Sequence, residues 1–315
     1  MTSSSPTRAG FAAIIGAPNA GKSTLTNRLV GAKVSIVTRK VQTTRFPVRG
    51  VAMAGQAQIV LVDTPGIFTP RRRLDRAMVR SAWSGAEDAD AIVHLVDVQA
   101  QLAVGEGKAA GADKKAVQDV QTIIEGLKGA GRQAILALNK IDGVKRERML
   151  AVAKALFDTG VYSEVFMISA ATGAGVEDLR DRLAGLMPEG PWLYPEDQTA
   201  DLPVRLLAAE ITREKVYLRV HEELPYAATV ETTAFEERRD GSARIEQTIF
   251  VEREGQRAII IGDKGQTLKW IGSASREELS DLLDRKVHLF LHVKVRENWA
   301  DERDIYQGMG LDFDV

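Results

Sequence analysis

Short apolar runs alternate with longer helical patterns over the first 187 residues of the chain. The strand-like apolar runs are 11–15, 59–62, 91–96, 134–138 and 165–168. Between them, apolar residues recur at helical spacing in 22–29, 145–157 and 176–186. This alternation predicts an α/β domain with a mostly parallel sheet and helices on both faces. The run 48–54 predicts one further strand, antiparallel and at the edge of the sheet.

The pattern changes at residues 188–203, where four of the ten prolines are concentrated. Because proline is excluded from helix interiors and favours extended neighbours, this stretch predicts a linker between two domains. Beyond it, the pattern predicts a helix, two strands, two helices and a strand, the order of a small α+β domain. These elements are 204–218, 227–231, 245–252, 266–271, 274–283 and 287–295, with turn residues at 239–242 and an apolar run at 258–261.

These boundaries divide the chain into five segments. They are a disordered N-terminus at 1–9, the α/β domain at 10–187, the linker at 188–203, the α+β domain at 204–300 and an acidic tail at 301–315. The stretch 105–115, rich in Gly, Ala and Lys, predicts a flexible surface loop that leads into a helix.

Composition narrows the classes of function. The chain has 315 residues, which fits two domains, and its 42 basic residues nearly balance 43 acidic ones. That balance excludes a protein that coats nucleic acid by charge alone. The absence of cysteine excludes disulfides, cysteine-ligated metals and a cysteine nucleophile, and it fits the cytoplasm. No apolar run approaches the roughly 18 residues of a membrane span.

The first predicted strand ends in GAPNAGKS, which fits the phosphate-binding loop pattern G-x-x-x-x-G-K-[ST]. In this pattern, backbone N–H groups and the start of the next helix surround the phosphates. Lys22 reaches the β- and γ-phosphates, and the Ser23 hydroxyl binds Mg²⁺. The predicted nucleotide-binding residues in this loop are Gly16, Asn19, Ala20, Gly21, Lys22, Ser23 and Thr24.

Two later motifs indicate which base is bound. In NKID, with Asn139 and Lys140, the carboxylate of Asp142 matches the paired N1–H and amine donors of guanine, which adenine lacks. The stem of Lys140 covers the base. Ser169 and Ala170 follow the next strand, where backbone N–H groups meet the guanine oxygen, although alone they fit an ordinary turn. Because all these motifs follow predicted strands, the sequence predicts a GTPase.

Further residues are predicted to sense the γ-phosphate. Asp63 of the DTPG motif holds Mg²⁺ through water, and Gly66 offers its N–H to the phosphate. Of the neighbouring Thr43 and Thr44, we favour Thr44 as the switch residue that completes the metal site. We assign Lys22, Thr44 and Gly66 to catalysis, and Ser23, Thr44 and Asp63 to Mg²⁺.

Residue 67 is Ile, so the water-orienting Gln of some small GTPases is missing. We therefore expect either that GTP hydrolysis is slow or that another electrophile replaces the missing Gln. We predict that K⁺ stimulates hydrolysis and that Asn19 is one of its ligands. The alternative is that Asn19 only caps the loop.

The C-terminal domain carries I-G-x-x-G-x-x-L-x-x-I at 261–271. This pattern, with the α-β-β-α-α-β order, is typical of a type II KH domain, whose GxxG loop binds about four nucleotides of a single strand. The predicted RNA-binding residues are Gly262, Asp263, Lys264, Gly265 and Lys269. After residue 200 the chain has 17 basic and 23 acidic residues, so RNA binding must depend on a local surface.

About residues 10–310 resemble the Era family of bacterial ribosome-assembly GTPases. The segments GAPNAGKSTL, RKVQTTR, DTPGIF and NKID occur in many GTPases, whereas EITREKVYLRVHEELPYAATVE, FVEREGQRAIIIGDKG and VHLFLHVKVRENWADE indicate this family. The resemblance implies GTP hydrolysis with Mg²⁺, binding of 16S rRNA near its 3′ end when GTP is bound, and a role in maturation of the small (30S) ribosomal subunit. It also implies peripheral association with the inner membrane, and we expect a cytoplasmic monomer. Phe46, where a polar residue is usual, and the long 105–115 stretch depart from the family pattern.

Two other functions fit parts of the sequence. One is a regulatory P-loop protein that acts away from the ribosome and carries an unrelated C-terminal domain; a preference for ATP would favour it. The other is an RNA-binding scaffold in which GTP is only structural. Multiple turnovers of GTP that disappear in Lys22→Ala would exclude this second alternative.

Overall fold

The computed structural model describes residues 6–38, 40, 42–220 and 224–315. The chain forms two compact units. The first contains the described residues up to Ser35, together with Thr44–Asp201 and Met309–Val315. The second contains Ile36–Thr43 and Leu202–Gly308.

Within the described residues, the first unit is built on a seven-stranded sheet. Its strands are β1 (Arg8–Ile15), β2 (Val48–Ala54), β3 (Ala57–Asp63), β4 (Ala91–Asp97), β5 (Ala134–Asn139), β6 (Tyr162–Met167) and β7 (Ala200–Asp201). Their spatial order is β6-β5-β4-β1-β3-β2-β7. Pairing is parallel from β6 to β3, while β2 is antiparallel to both β3 and β7.

Helices cover both faces of this sheet. They are α1 (Lys22–Val30), α2 (Arg73–Glu87), α3 (Val98–Gly105), α4 (Gly111–Gly129), α5 (Arg146–Phe157) and α6 (Val176–Leu186). Alternate residues of β1 face opposite layers: Ala13 and Ile15 pack with residues of α2, α4 and α5, whereas Ala12 and Ile14 pack with residues of α1 and α6. The predicted α/β fold is therefore confirmed, and the carboxyl ends of the parallel strands lie along one edge of the sheet.

The second unit combines helices with a three-stranded sheet in the described residues. Its elements are α7 (Val204–Arg219), β8 (Ala228–Glu237), β9 (Ala243–Val251), α8 (Glu254–Ile261), α9 (Gln266–Leu282), β10 (Val287–Val295) and α10 (Arg303–Met309), with short 3₁₀ helices at Leu224–Ala227, Asp263–Gly265 and Trp299–Asp301. β9 pairs antiparallel with β8 and parallel with β10. Val216, Ile249, Ile260 and Ile271 join α7, α8 and α9 to the sheet in one core. This is the α-β-β-α-α-β order predicted for the type II KH domain.

Two elements of the second unit differ from the sequence prediction. The apolar run at 258–261 belongs to α8, so the first of the two central helices precedes the GxxG loop. The stretch predicted as two helices at 266–271 and 274–283 is the single helix α9. Gly272 lies inside α9, and a Cβ there would lie an ordinary 3.5 Å from Leu291 Cδ1 of β10.

Several segment boundaries also differ. Residues 1–5 lie outside the described residues, but β1 begins at Arg8, inside the predicted disordered terminus. The proline-rich stretch belongs to the first unit as far as Asp201, because β7 pairs with β2. Half of the predicted loop 105–115 is helical, since α4 begins at Gly111. The acidic tail contains the whole of α10. None of the helices in the described ranges is long and apolar enough to cross a membrane.

Candidate functional site

The phosphate-binding loop connects β1 to α1, as its sequence predicts. The Lys22 side chain folds back over the loop, and its Nζ donates to the carbonyls of Gly16 (3.1 Å) and Ala17 (3.0 Å). Burial lowers the pKa of Lys22 to about 8, while the carboxylates of Asp63 and Asp119 act in the opposite direction. The ammonium group is thus held inside the loop, within the field of two carboxylates.

Close backbone approaches explain two glycines of this loop. A Cβ on Gly16 would lie 2.5 Å from the Leu95 carbonyl oxygen. A Cβ on Gly21, whose φ is 102°, would lie 2.4 Å from Asn139 Nδ2. Both positions therefore exclude a side chain. Asn19 is exposed at the tip of the loop in the left-handed region, with φ of 63°.

Several side-chain oxygen atoms lie close together beside the start of α1. Ser23 Oγ and Thr44 Oγ1 are 2.9 Å apart, and Asp63 is fully buried at the end of β3. Among the described residues, neither carboxylate oxygen of Asp63 has a hydrogen-bond partner of good geometry. Burial raises the pKa of Asp63, and nearby hydroxyl groups and the Lys22 ammonium partly oppose this. A buried carboxylate flanked by hydroxyl oxygens fits Mg²⁺, which prefers oxygen ligands.

Ser35 belongs to this cluster but to no sequence motif. It is 3% exposed, and its hydroxyl has no hydrogen-bond partner in the described part of the chain, although it lies close enough to Asp63 to influence the pKa of that carboxyl. Asn27 fixes the turn, because its Oδ1 accepts from the backbone N–H groups of Val34 and Ser35, both at 2.9 Å. No local sequence signal marks this contact, so motif analysis could not find it.

The structure separates the two threonines that compete for the switch role. Thr44 Oγ1 faces Ser23 in the first unit. Thr43 Oγ1 instead contacts Thr38 Oγ1 (2.6 Å) and donates to the Lys40 carbonyl (2.7 Å) within the second unit. This arrangement favours Thr44 as the residue that faces the metal.

The segment just before Thr44 packs on α7. The Val37 N–H donates to Glu214 Oε1 at 2.8 Å, and Arg213 Nη2 donates to the Thr43 carbonyl. Arg213 is only 1% exposed. The segment is therefore held by the second unit up to the peptide bond that precedes Thr44.

The DTPG loop lies directly on the phosphate-binding loop. A Cβ on Gly66 would lie within 2.9 to 3.0 Å of three Pro18 atoms, so no side chain fits there. The Ile67 N–H donates to the Gly16 carbonyl at 3.1 Å. The backbone of Gly66 is thus close to the region where the phosphates are predicted.

The residues predicted to recognise the base also come together. Ser169 Oγ donates to Asp142 Oδ2 at 2.9 Å. Asn139 joins the two loops on either side of the site, because its Nδ2 donates to the Ala20 carbonyl (2.7 Å) and its Oδ1 accepts from the Ala170 N–H (2.9 Å). Both ends of the Asn139 amide are occupied, so its contribution to the site is to hold the loops together.

Lys140 has a left-handed backbone, with φ of 63°. Its ammonium pairs with Asp97 Oδ2 at 2.6 Å, and Gln99 Nε2 donates to its carbonyl at 2.9 Å. These contacts fix the loop that carries Asp142.

The GxxG loop joins α8 to α9. Gly262 has φ of 73°, and a Cβ there would lie 2.3 Å from Thr267 Oγ1. Gly265 has φ of 78°, but no atom lies within 4 Å of a Cβ placed there. α9 begins at the next residue, so its first N–H groups open onto the loop. The predicted side chains of this surface are all exposed: Asp263, Lys264 and Lys269.

These features define a P-loop GTPase joined to a KH domain. Family models agree: residues 11–140 match the family described as 50S ribosome-binding GTPase, and residues 223–300 match the KH domain. The chain is 79% identical over 311 residues to GTPase Era of Caulobacter vibrioides, covering 99% of this chain and 98% of that protein. The chain belongs to the Era family of GTPases, and its reaction is the hydrolysis of GTP.

Two solved structures are similar over almost the full chain. One is Era in complex with MgGDPNP and nucleotides 1506–1542 of 16S ribosomal RNA, with a TM-score of 0.86 and 36% identity, covering 96% of this chain and 99% of that one. The other is a variant of Aquifex aeolicus Era bound to GDP and AlF₄⁻, with a TM-score of 0.85 and 37% identity at the same coverage.

Proposed function

We propose that this GTPase is a switch that binds single-stranded 16S rRNA near its 3′ end and assists maturation of the small ribosomal subunit. The observation that carries the proposal is the exposed GxxG loop, in which Gly262 and Gly265 take left-handed conformations at the start of α9. A phosphate backbone approaches such a loop without meeting side chains. The Era structure that contains 16S rRNA is similar to 96% of the present chain.

Nucleotide binding in this proposal rests on the cluster around α1. Lys22 would bind the β- and γ-phosphates, while Ser23, Thr44 and Asp63 would hold Mg²⁺ directly or through water. Bound Mg²⁺ supplies charge neutralisation at the phosphates. The Gly66 N–H would orient the γ-phosphate. Catalysis would thus come from positioning and charge stabilisation, without a covalent intermediate.

RNA affinity should depend on the nucleotide. We expect the full chain to bind a labelled RNA with the 3′-terminal sequence of 16S rRNA at least ~10-fold more tightly with a GTP analogue than with GDP, because Thr44 is predicted to sense the γ-phosphate. Fluorescence anisotropy at fixed salt measures this, with a scrambled RNA of equal length as the control. Crosslinking to total cellular RNA should then recover 16S rRNA. Equal affinity for both RNAs would contradict the proposal.

Potassium stimulation is a separate part of the proposal. Asn19 lies exposed at the tip of the phosphate-binding loop. We expect its amide oxygen to reach a cation beside the predicted phosphates. We expect faster GTP turnover in K⁺ than in Na⁺ at equal ionic strength, and no difference between the two salts for Asn19→Ala. Steady-state phosphate release measures both. If the wild-type rates are equal in K⁺ and Na⁺, Asn19 only caps the loop.

The remaining parts of the proposal are a cytoplasmic location, which the absence of cysteine fits, peripheral association with the inner membrane, which the family resemblance implies, and a monomeric state. Sedimentation of the purified chain with and without vesicles of bacterial inner-membrane lipids tests the last two.

A further inference from the structure

The helix that follows the DTPG motif begins with a basic stretch of sequence. Residues 71–86 contain one acid, Asp75, and five arginines, which are Arg71, Arg72, Arg73, Arg76 and Arg80. Asp75 is buried, and its Oδ2 accepts from the backbone N–H groups of Arg71 (3.1 Å) and Arg72 (3.0 Å). The one acid therefore caps the start of α2, and this part of the helix carries an excess of positive charge.

Three of these arginines share one side of α2. Arg73, Arg76 and Arg80 are three and four residues apart, a spacing that brings side chains to the same face of a helix. Arg76 and Arg80 are exposed, whereas Arg73 is half-buried. We call these three residues the arginine face of α2. Guanidinium groups pair with carboxylates and phosphates and stack on flat rings, so this face suits an anionic ligand that also contains rings.

A short segment of the same unit occupies the arginine face. Residues Met309–Val315, which we call the terminal segment, belong to the first unit together with α2. Arg80 Nη1 lies 3.5 Å from Asp312 Oδ2, and Arg76 Nε donates to the main-chain oxygen of Val315 at 3.4 Å. Two of the three arginines thus contact the terminal segment through polar groups.

The third arginine contacts an aromatic ring of the terminal segment. The guanidinium carbon of Arg73 lies 4.4 Å from the centroid of the Phe313 ring, within the range of a cation–π interaction. Leu311 is only 6% exposed, so its burial anchors the start of the segment. Beyond Leu311, contacts to the arginine face hold the segment in place.

These contacts are of the two kinds that arginine makes with single-stranded RNA. The sequence Asp312-Phe313-Asp314 alternates carboxylates with a flat ring, as a nucleic acid strand alternates phosphates with bases. Phosphates pair with guanidinium groups, and unstacked bases stack on their planes. A strand of RNA would therefore offer the arginine face the same kinds of partner as the terminal segment does.

The terminal segment is held in a way that allows exchange. The ion pair between Arg80 and Asp312 is open to solvent, since its side chains are 63% and 53% exposed. Exposed ion pairs contribute little to stability and are screened by salt. A polyanion that contacts several arginines at once and releases its counterions can therefore displace the segment.

We propose that the arginine face of α2 is a second RNA-binding surface, which the terminal segment covers until a single strand of RNA displaces it. The surface binds RNA without reading its sequence, because contacts to the phosphate backbone carry no sequence information. It is independent of the GxxG loop and of the preference for the 3′ end of 16S rRNA that the proposed function requires.

The test measures binding of the scrambled RNA to the full chain with GDP bound. The release variant combines Asp312→Asn with Phe313→Ala, which removes both contacts that resemble RNA. We expect it to bind the scrambled RNA at least ~5-fold more tightly than wild type at about 0.1 M salt, because each single-strand phosphate contact contributes about 0.7 to the slope of log affinity against log salt. The slope should become steeper by a similar amount. Fluorescence anisotropy over a series of salt concentrations gives both quantities.

Two further variants show where the gain arises. Phe157→Ala with Asp158→Asn is the matched control, because it removes the same ring and the same charge from exposed positions at the end of α5. It should change the affinity for the scrambled RNA by less than about 2-fold, since salt screens a single exposed charge. Adding Arg76→Ala and Arg80→Ala to the release variant should abolish the gain. Fluorescent GDP titration checks that each variant keeps an intact nucleotide site.

Several outcomes would overturn the proposal. They are an unchanged affinity in the release variant, an equal gain in the matched control, and a gain that persists without Arg76 and Arg80. A change in GTP turnover with no change in RNA affinity would also overturn it, because the terminal segment would then act on the nucleotide site instead. The preference for the 3′-terminal sequence is measured separately, so the proposed function and this proposal can fail independently.

Discussion

Gly265→Asp is expected to weaken rRNA binding at least ~100-fold while leaving GTP affinity unchanged. In the proposed complex the GxxG loop would accept a phosphate backbone through the N–H groups at the start of α9, and a carboxylate there would repel it. The substitution itself is tolerated by the fold, because no atom lies within 4 Å of the new Cβ and Asp is among the residues that best accept a left-handed conformation. Anisotropy with the 3′-terminal rRNA oligonucleotide measures the effect.

Gly241→Asp provides a matched control for this variant. Gly241 has φ of 80° and no neighbouring atom within 4 Å of its Cβ position, so it carries the same strain and the same added charge. It lies in the turn between β8 and β9, outside the GxxG loop. Gly262→Asp is less informative alone, because its Cβ would collide with Thr267. If Gly265→Asp and Gly241→Asp bind RNA equally well, the RNA surface lies elsewhere on the second unit.

Asp142→Asn is expected to lower GTP affinity at least ~100-fold and to create a preference for xanthosine triphosphate. The carboxylate matches the paired N1–H and amine donors of guanine, and a polar group that a bound base covers and leaves unpaired is strongly selected against. An amide at this position instead donates to the second carbonyl of xanthine. Competition between the two nucleotides for the full chain, followed by fluorescent nucleotide titration, gives the ratio of affinities.

The site around Asp142 should survive this change, because Ser169 Oγ still has an amide oxygen to which it donates. Asp158→Asn, at an exposed carboxylate of the same unit, is the control for lost charge. A preference for ATP in the wild-type chain, or unchanged base selectivity in Asp142→Asn, would show that another group reads the base.

The sequence motifs predict a single nucleotide site for a physical reason. GAPNAGKS, DTPG, NKID and the Ser169–Ala170 pair each follow a strand of the parallel sheet, and parallel strands bring their carboxyl ends to one edge. The predicted antiparallel direction of β2 is confirmed, but the prediction that β2 lies at the edge of the sheet is wrong, because the short strand β7 pairs with its outer side. The motifs provide side chains and backbone groups that directly follow strands, and the strands themselves are predicted by the apolar pattern.

The features that the sequence pattern did not predict depend on tertiary contacts. The run 258–261 is rich in isoleucine, which favours a strand, yet it is helical because Ile260 enters the core of the second unit and Gly262 ends the helix. Ser35 and Asp119 reach the site from segments without a motif. The tertiary fold decides which residues lie opposite Ser35 and Asp119, and a local sequence pattern does not predict such contacts.

The attachment of Arg213 to the Thr43 carbonyl has a mechanical consequence. That carbonyl belongs to the same planar peptide group as the Thr44 nitrogen, and a peptide group turns as one rigid plate. The attached carbonyl therefore restricts rotation of this plate. Arg213 is itself held by Glu210 in a buried ion pair, so the arginine has little freedom to move with the carbonyl. A buried ion pair thus limits the orientations that one backbone peptide group can adopt.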